Sequence, residues 1–154
     1  MNNTAPNIVR VHVQTRCVAE AETVWSSLVD GIDDWWGEPY VSSPERTQLT
    51  LDARVGGLLF EDWGDGNGTA WATVSTVRRP HRLELNGTFM MPGALHGHVA
   101  IDIDADTADP ASSRISLTHR AIGDIADETI ASWDDGWHEL IESLAEHAAS
   151  EAAR

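Results

Sequence analysis

The chain contains no lysine, and all ten of its basic residues are arginines. Lysine Schiff-base chemistry and a phosphate-loop lysine are therefore excluded within it. Positive charge is scarce altogether: ten basic residues face 25 acidic ones over 154 residues, a formal charge of −15. Nucleic acid and anionic membrane both demand a cationic footprint, so neither is an expected partner. The single cysteine, Cys17, rules out an intrachain disulfide and a thiolate zinc cluster. Within its apolar, alternating stretch it reads as a small buried hydrophobe. No apolar run approaches the roughly 18 residues of a membrane span, and "MNNTAPN" does not read as a basic-then-apolar leader. No membrane insertion and a cytoplasmic location are the default expectations. A serine elbow, a zinc-protease helix and a dinucleotide fingerprint are all missing, and no cofactor is expected.

What is present is pattern. Residues 8 to 18, "IVRVHVQTRCV", alternate, with Val9, Val11, Val13 and Cys17 on one face; this spacing predicts a half-buried strand. "AETVWSSLVDG" carries a helical stripe through Val24, Trp25 and Leu28, stopped by Gly31, and "IDDWWG" reads as a second short helix. From Leu49 the period changes to two and stays there. Six further stretches alternate more or less cleanly, the least regular being "TAWATVSTV"; "RLELNGTFMM" keeps Leu83, Leu85, Phe89 and Met91 in phase. "GDGNG" reads as a hairpin turn rather than a phosphate cradle. From Asp127 the period returns to helical, running from Ile130 to Ala148 through Trp133, Trp137, Leu140 and Leu144. Asp127 is the expected N-cap. Gly136 sits inside this helix at a cost of roughly 1 kcal/mol relative to alanine, so either close approach to the sheet or room for a ligand should compensate.

The order is α+β: a strand, two short helices, an antiparallel sheet of about six strands, and a long C-terminal helix gripped by that sheet. The stretches "AETVWSSLVDGIDDWWGEP", "VGGLLFEDWGDGNGTAWATVSTVRRPHRLEL" and "LTHRAIGDI…SWDDGWHELIESLAEHA" resemble the START-like (SRPBCC) superfamily. The branch they are most similar to is that of the heat-shock-protein ATPase activator homologues. The resemblance spans residues 8–148 as one helix-grip domain, with 1–7 and 149–154 expected to be flexible termini. It implies a hydrophobic cavity between sheet and helix, holding an apolar or aromatic small molecule, lipid-like or polyketide-like. Some members instead catalyse cyclisation or dehydration, so an enzyme of cyclase, dehydratase or hydrolase type stands as the alternative. A co-chaperone or a homodimer is a third reading. The eukaryotic activators carry an extra N-terminal domain with no counterpart here, so the label lends little support to chaperone activation.

Under that resemblance, Trp63, Trp71, Trp133 and Trp137, with Phe89 and Met91, are expected to wall the cavity. The paired Trp35 and Trp36 should plug the sheet's open end, or touch ligand at the cavity mouth. Periodicity alone does not say which face of "GGLLFEDW" is inward; similar family sequences imply that Glu61 turns into the cavity. A carboxyl in an apolar cup should have a raised pKa and could serve as a general acid or base. His119, in phase with Ile115 and Leu117, should face the concave side, either as a second proton carrier or as a core histidine bonded to a neighbour. His96 and His98 share one side of an extended segment, a spacing that can chelate, but alternation turns His98 outward and no third ligand is evident. No metal is expected.

Overall fold

The structure, a computed structural model, describes residues 5–43 and 48–154. Strand β1 (Asn7–Cys17) opens the chain and is followed by helices α1 (Ala21–Val29) and α2 (Ile32–Trp35). Six strands come next: β2 (Gln48–Leu51), β3 (Leu58–Gly64), β4 (Asn67–Arg78), β5 (Arg82–Gly87), β6 (Leu95–Ala105) and β7 (Ser113–Gly123). Helix α3 (Asp127–Ala152) closes it.

All seven strands form one antiparallel sheet in the order β1-β7-β6-β5-β4-β3-β2. It is a meander whose last strand returns to pair with the first. Because side chains alternate across a strand, the register Val9↔Ala121, Val11↔His119, Val13↔Leu117 puts the apolar set of both strands on the same face. Helix α3 packs over that face against β1 and α1, burying Trp133, Trp137, Leu140, Ile141 and Leu144. Cys17 belongs to this core and donates its thiol proton to the Ala145 carbonyl at 3.3 Å.

Three departures from the sequence reading have local causes. β4 alternates poorly because it carries two irregularities: Trp71 is extra against β3, between pairs Leu59↔Ala72 and Phe60↔Ala70, and Ser75 is extra against β5. A bulge resets the inward phase, which is why Trp71, Ala72 and Val74 are all buried. β5 ends at Gly87, short of the expected run to Met91. There Phe89 and Met90 take positive φ values of 52° and 56°, so the chain leaves the sheet while the Phe89 ring still turns into the core. The helix α3 N-cap is Ala126 without a side-chain cap bond, not Asp127, which is the first helical residue and places its charge in the first turn.

The "GDGNG" stretch is a two-residue hairpin. Asp65 and Gly66, at φ 55° and 79°, join Gly64 to its partner Asn67, the doubly left-handed turn that suits the twist of paired strands. Among the described residues, no helix is long and apolar enough to cross a membrane.

Candidate ligand-binding site

A cavity of about 200 Å³ lies where the first half of α3 crosses the far half of the sheet. Trp36 comes from the end of α2, Trp71 from β4, and Trp137 from α3; the segment after β5 supplies Phe89, Met90 and Met91. Trp133 and Gly136 lie along the helix side, and Tyr40, Thr129 and Ser132 carry its polar groups. Helical spacing brings Trp133, Gly136 and Trp137 to one side of α3. A larger groove of about 510 Å³ runs between α1 and α3, lined by Glu22, Asp30, Asp34, His147 and Glu151. That groove is lined by acidic and polar side chains and is open to solvent, so it desolvates a ligand less than an aromatic cavity would. The aromatic cavity is the better candidate.

Gly136 has a specific reason to be glycine. A Cβ there would stand 3.2 Å from Cε1 of Tyr40, so the close approach is to this ring rather than to the sheet. The Tyr40 hydroxyl is bonded to Glu139, whose carboxylate pushes the phenol pKa up to about 12. The Tyr40 carbonyl accepts from Trp36 Nε1 at 2.7 Å. Tyr40 therefore caps the site, and the sequence reading missed it; its only signal was being the sole tyrosine, just after "GEP".

Glu61 does turn inward and is fully buried, but its chemistry corrects the expectation of a raised pKa. Its carboxylate accepts the backbone N–H of Ser42 at 2.7 Å and of Ser43 at 3.3 Å, and the Trp71 indole N–H at 2.9 Å. Burial alone would push the carboxyl up; the Ser42 amide and hydroxyl, the Ser43 amide and the Trp71 indole together hold it below the usual carboxylate range. A sealed, ionised acceptor with these donors has no proton to give near neutral pH. It pins the segment leading from Tyr40 onto β3 and orients Trp71. Glu61→Gln is accordingly expected to lower the unfolding free energy by about 2 kcal/mol in urea titration, and to speed hydrogen exchange at the Ser42 and Ser43 amides. Unchanged exchange there would remove the pinning role.

His119 is fully buried. Its Nδ1 accepts the Trp137 indole N–H at 2.9 Å, so in the neutral ring the proton sits on Nε2. The ring stacks on Trp133 at 4.6 Å and 7° and lies 5.2 Å from Phe89. Among the described residues Nε2 has no hydrogen-bond partner; it points at Gly97 on β6, where an added Cβ would stand 2.9 Å away. Burial first, and then the charge of His98, lowers the His119 pKa to about 4. This corrects the expectation of a proton carrier near pH 7. Glu61 and His119 are bonded to different indoles, Trp71 and Trp137, each of which is in ring contact with Trp36, at 5.2 and 5.6 Å.

The other expected residues divide. Trp36, Trp71, Phe89, Met91, Trp133 and Trp137 converge on the cavity. Trp35 does not: its indole donates to the Ser27 carbonyl at 2.8 Å, and its own carbonyl accepts from Ser143, so it fastens α2 to α1 and α3. Trp63 is 38% exposed, because it lies at the hairpin end of β3, where the register shifts between Asp62 and Gly64, beyond the reach of α3. Of the two spaced histidines, His98 bonds Glu84 at 3.0 Å. Among the described residues no three metal-ligating side chains converge.

Solved structures share this fold. The chain is similar to Mll3558 from Rhizobium loti, with a TM-score of 0.68 at 13% identity over 94% of this chain and 99% of that one. It is similar to the Aha1 dimer from Colwellia psychrerythraea, with a TM-score of 0.66 at 16% identity over 92% and 96%. The shared fold is α+β, an antiparallel sheet with a long C-terminal helix in a helix-grip arrangement. CalU16 from Micromonospora echinospora shares it, with a TM-score of 0.61 at 16% identity over 98% and 90%. No protein-family model matches the chain, and no curated protein matches it by sequence. At these identities the likeness carries the helix-grip fold and not the chemistry of any one member.

Proposed function

We propose that this START-like domain binds a compact apolar or aromatic small molecule in the cavity between its sheet and α3. The observation that carries the reading is the wall itself: indole, phenyl and thioether groups, with only a few polar groups. That composition suits desolvation of a ring and orientation by one or two polar contacts. The volume of about 200 Å³ lies below the roughly 300–1,000 Å³ typical of sites for drug-sized ligands, and somewhat above the ~150 Å³ of an apolar cavity that holds benzene. It favours one substituted ring over a long acyl chain or a multi-ring polyketide.

Little supports the proton-transfer alternative, since bonded donors hold the Glu61 carboxyl below its ordinary range, and burial lowers the pKa of His119, whose Nδ1 is bonded to Trp137. Similarity to the Aha1 dimer keeps a co-chaperone or a homodimer within the scope of the fold, but no feature described above favours either.

The test is thermal and denaturant unfolding of the purified protein with a panel of single-ring compounds, neutral and charged, beside medium-chain fatty acids. A ring that fits should stabilise the native state by about 2.7 kcal/mol at one hundred times its dissociation constant. If no single-ring compound stabilises the protein, or if only the fatty acids do, the reading is wrong.

A further inference from the structure

The cavity contains four indoles, and every one of their N–H groups is already taken. Trp36 donates to the Tyr40 carbonyl, Trp71 to the Glu61 carboxylate, Trp137 to Nδ1 of His119 and Trp133 to the Met91 thioether. The indole donors that would greet an anion or a strong hydrogen-bond acceptor are therefore committed to the protein, as are the Tyr40 hydroxyl, held by Glu139, and the Ser132 hydroxyl, which donates to the Thr129 carbonyl. No arginine or histidine lines the cavity among the described residues. What remains for a ligand is, apart from the Thr129 hydroxyl, electron-rich: π-faces and the Met90 sulfur.

Negative charge stands directly behind this wall. The Glu61 carboxylate is fully buried and bonded to the N–H of Trp71 at 2.9 Å. A carboxylate at that edge raises the electron density of the ring, and hence the attraction of its face for a cation. At the cap, Glu139 holds the Tyr40 hydroxyl in the same polarising sense. The cluster is close and non-parallel, with Trp36 meeting Trp71 at 62° and Trp137 at 90°, so its faces are presented in different directions, as in an aromatic cage.

We infer that the cavity, on the binding reading above, selects a compact cation: a quaternary or tertiary ammonium carried on a single small ring. Alkyl groups spread the charge and weaken hydration, which lowers the cost of leaving water compared with a primary ammonium. Anionic ligands meet the buried carboxylate with no compensating cation and are rejected.

Phenyltrimethylammonium and tert-butylbenzene have the same shape and differ in charge, so calorimetric titration of the whole chain with each separates charge from size. The ammonium should bind at least about ten-fold more tightly. The preference should survive about 0.5 M salt, where the Debye length is only a few Å and surface ion pairing is screened. Trp36→Phe, which keeps a ring but weakens the face, should cost the ammonium several-fold more affinity than it costs tert-butylbenzene. If the neutral isostere binds as tightly as the cation, the charge inference falls and the apolar-site reading stands. If neither binds, both fall. A preference abolished by salt would place the cation on the acidic surface and overturn the inference, as would one untouched in a folded Trp36→Phe protein.

Discussion

Trp137→Ala should lower the unfolding free energy by about 3–5 kcal/mol, the range for deleting a buried aromatic. Trp137 is 6% exposed and meets Trp36, Phe89 and His119 edge to face. Its removal also takes away the donor to Nδ1 of His119, whose other nitrogen has no partner among the described residues. The vacated space would join the existing cavity, so the surroundings have no close-packed shell to relax into. Trp63→Ala is the matched control: at 38% exposure and outside the cluster, it should change stability by about 0.5 kcal/mol or less. Urea titration of the two variants side by side decides the matter. Similar small losses for both would mean that the α3 indole is not a keystone of the core.

Stability should also fall as pH drops from about 6.5 toward 4, and His119 is the cause. Its pKa is lowered from 6.5 to about 4 in the folded state, so between those values the unfolded chain binds the proton more readily. Unfolding therefore takes up protons in that window, and acid favours it. The full separation of the two pKa values corresponds to about 3 kcal/mol, present above the upper value and gone below the lower one. Glu61 acts in the same direction at lower pH. Its folded pKa is depressed, so its contribution is complete above the ordinary carboxylate value and disappears as pH falls through the folded one. His119→Phe separates the two: the loss between 6.5 and 4 should flatten while the more acidic loss persists. A wild-type protein equally stable at pH 6.5 and 4.5 would show that the buried imidazole does not resist protonation.

The parts of this molecule that were legible in its sequence are those where one period governs a whole element. β1 and β7 keep strict alternation, and α3 keeps its stripe from Ile130 to Ala148, so their inward faces followed from spacing. β4 was not legible, because the extra residues Trp71 and Ser75 break the phase twice without any residue type that announces it. Phe89 was placed in the core, though by a strand that does not extend that far; two positive φ values deliver the ring instead. The protonation of Glu61 was misjudged for a different reason. Burial, which the family resemblance implied, raises its pKa, whereas the donors that win come from Ser42 and Ser43, 18–19 residues away in the chain, and from Trp71. The adjacent Trp35 and Trp36 were expected to act together, and in the fold one fastens helices while the other faces the cavity. Where each indole sends its N–H is set by tertiary contacts, and it is that choice which leaves the cavity electron-rich.

Trp36 is also an optical junction. Its ring centroid lies 5.5 Å from that of Trp35, 5.2 Å from Trp71 and 5.6 Å from Trp137, with the planes inclined rather than parallel. Transition dipoles that close and that skewed do not absorb as separate chromophores; their excited states mix into a couplet. The far-ultraviolet circular dichroism of this chain is therefore a sum of backbone and indole bands, and helix content read from it without that correction will be wrong. The couplet is itself a reporter of the cluster's geometry, one that changes when a guest tilts any of the four rings. Trp63, half in water and far from the junction, supplies an emission that a guest leaves alone.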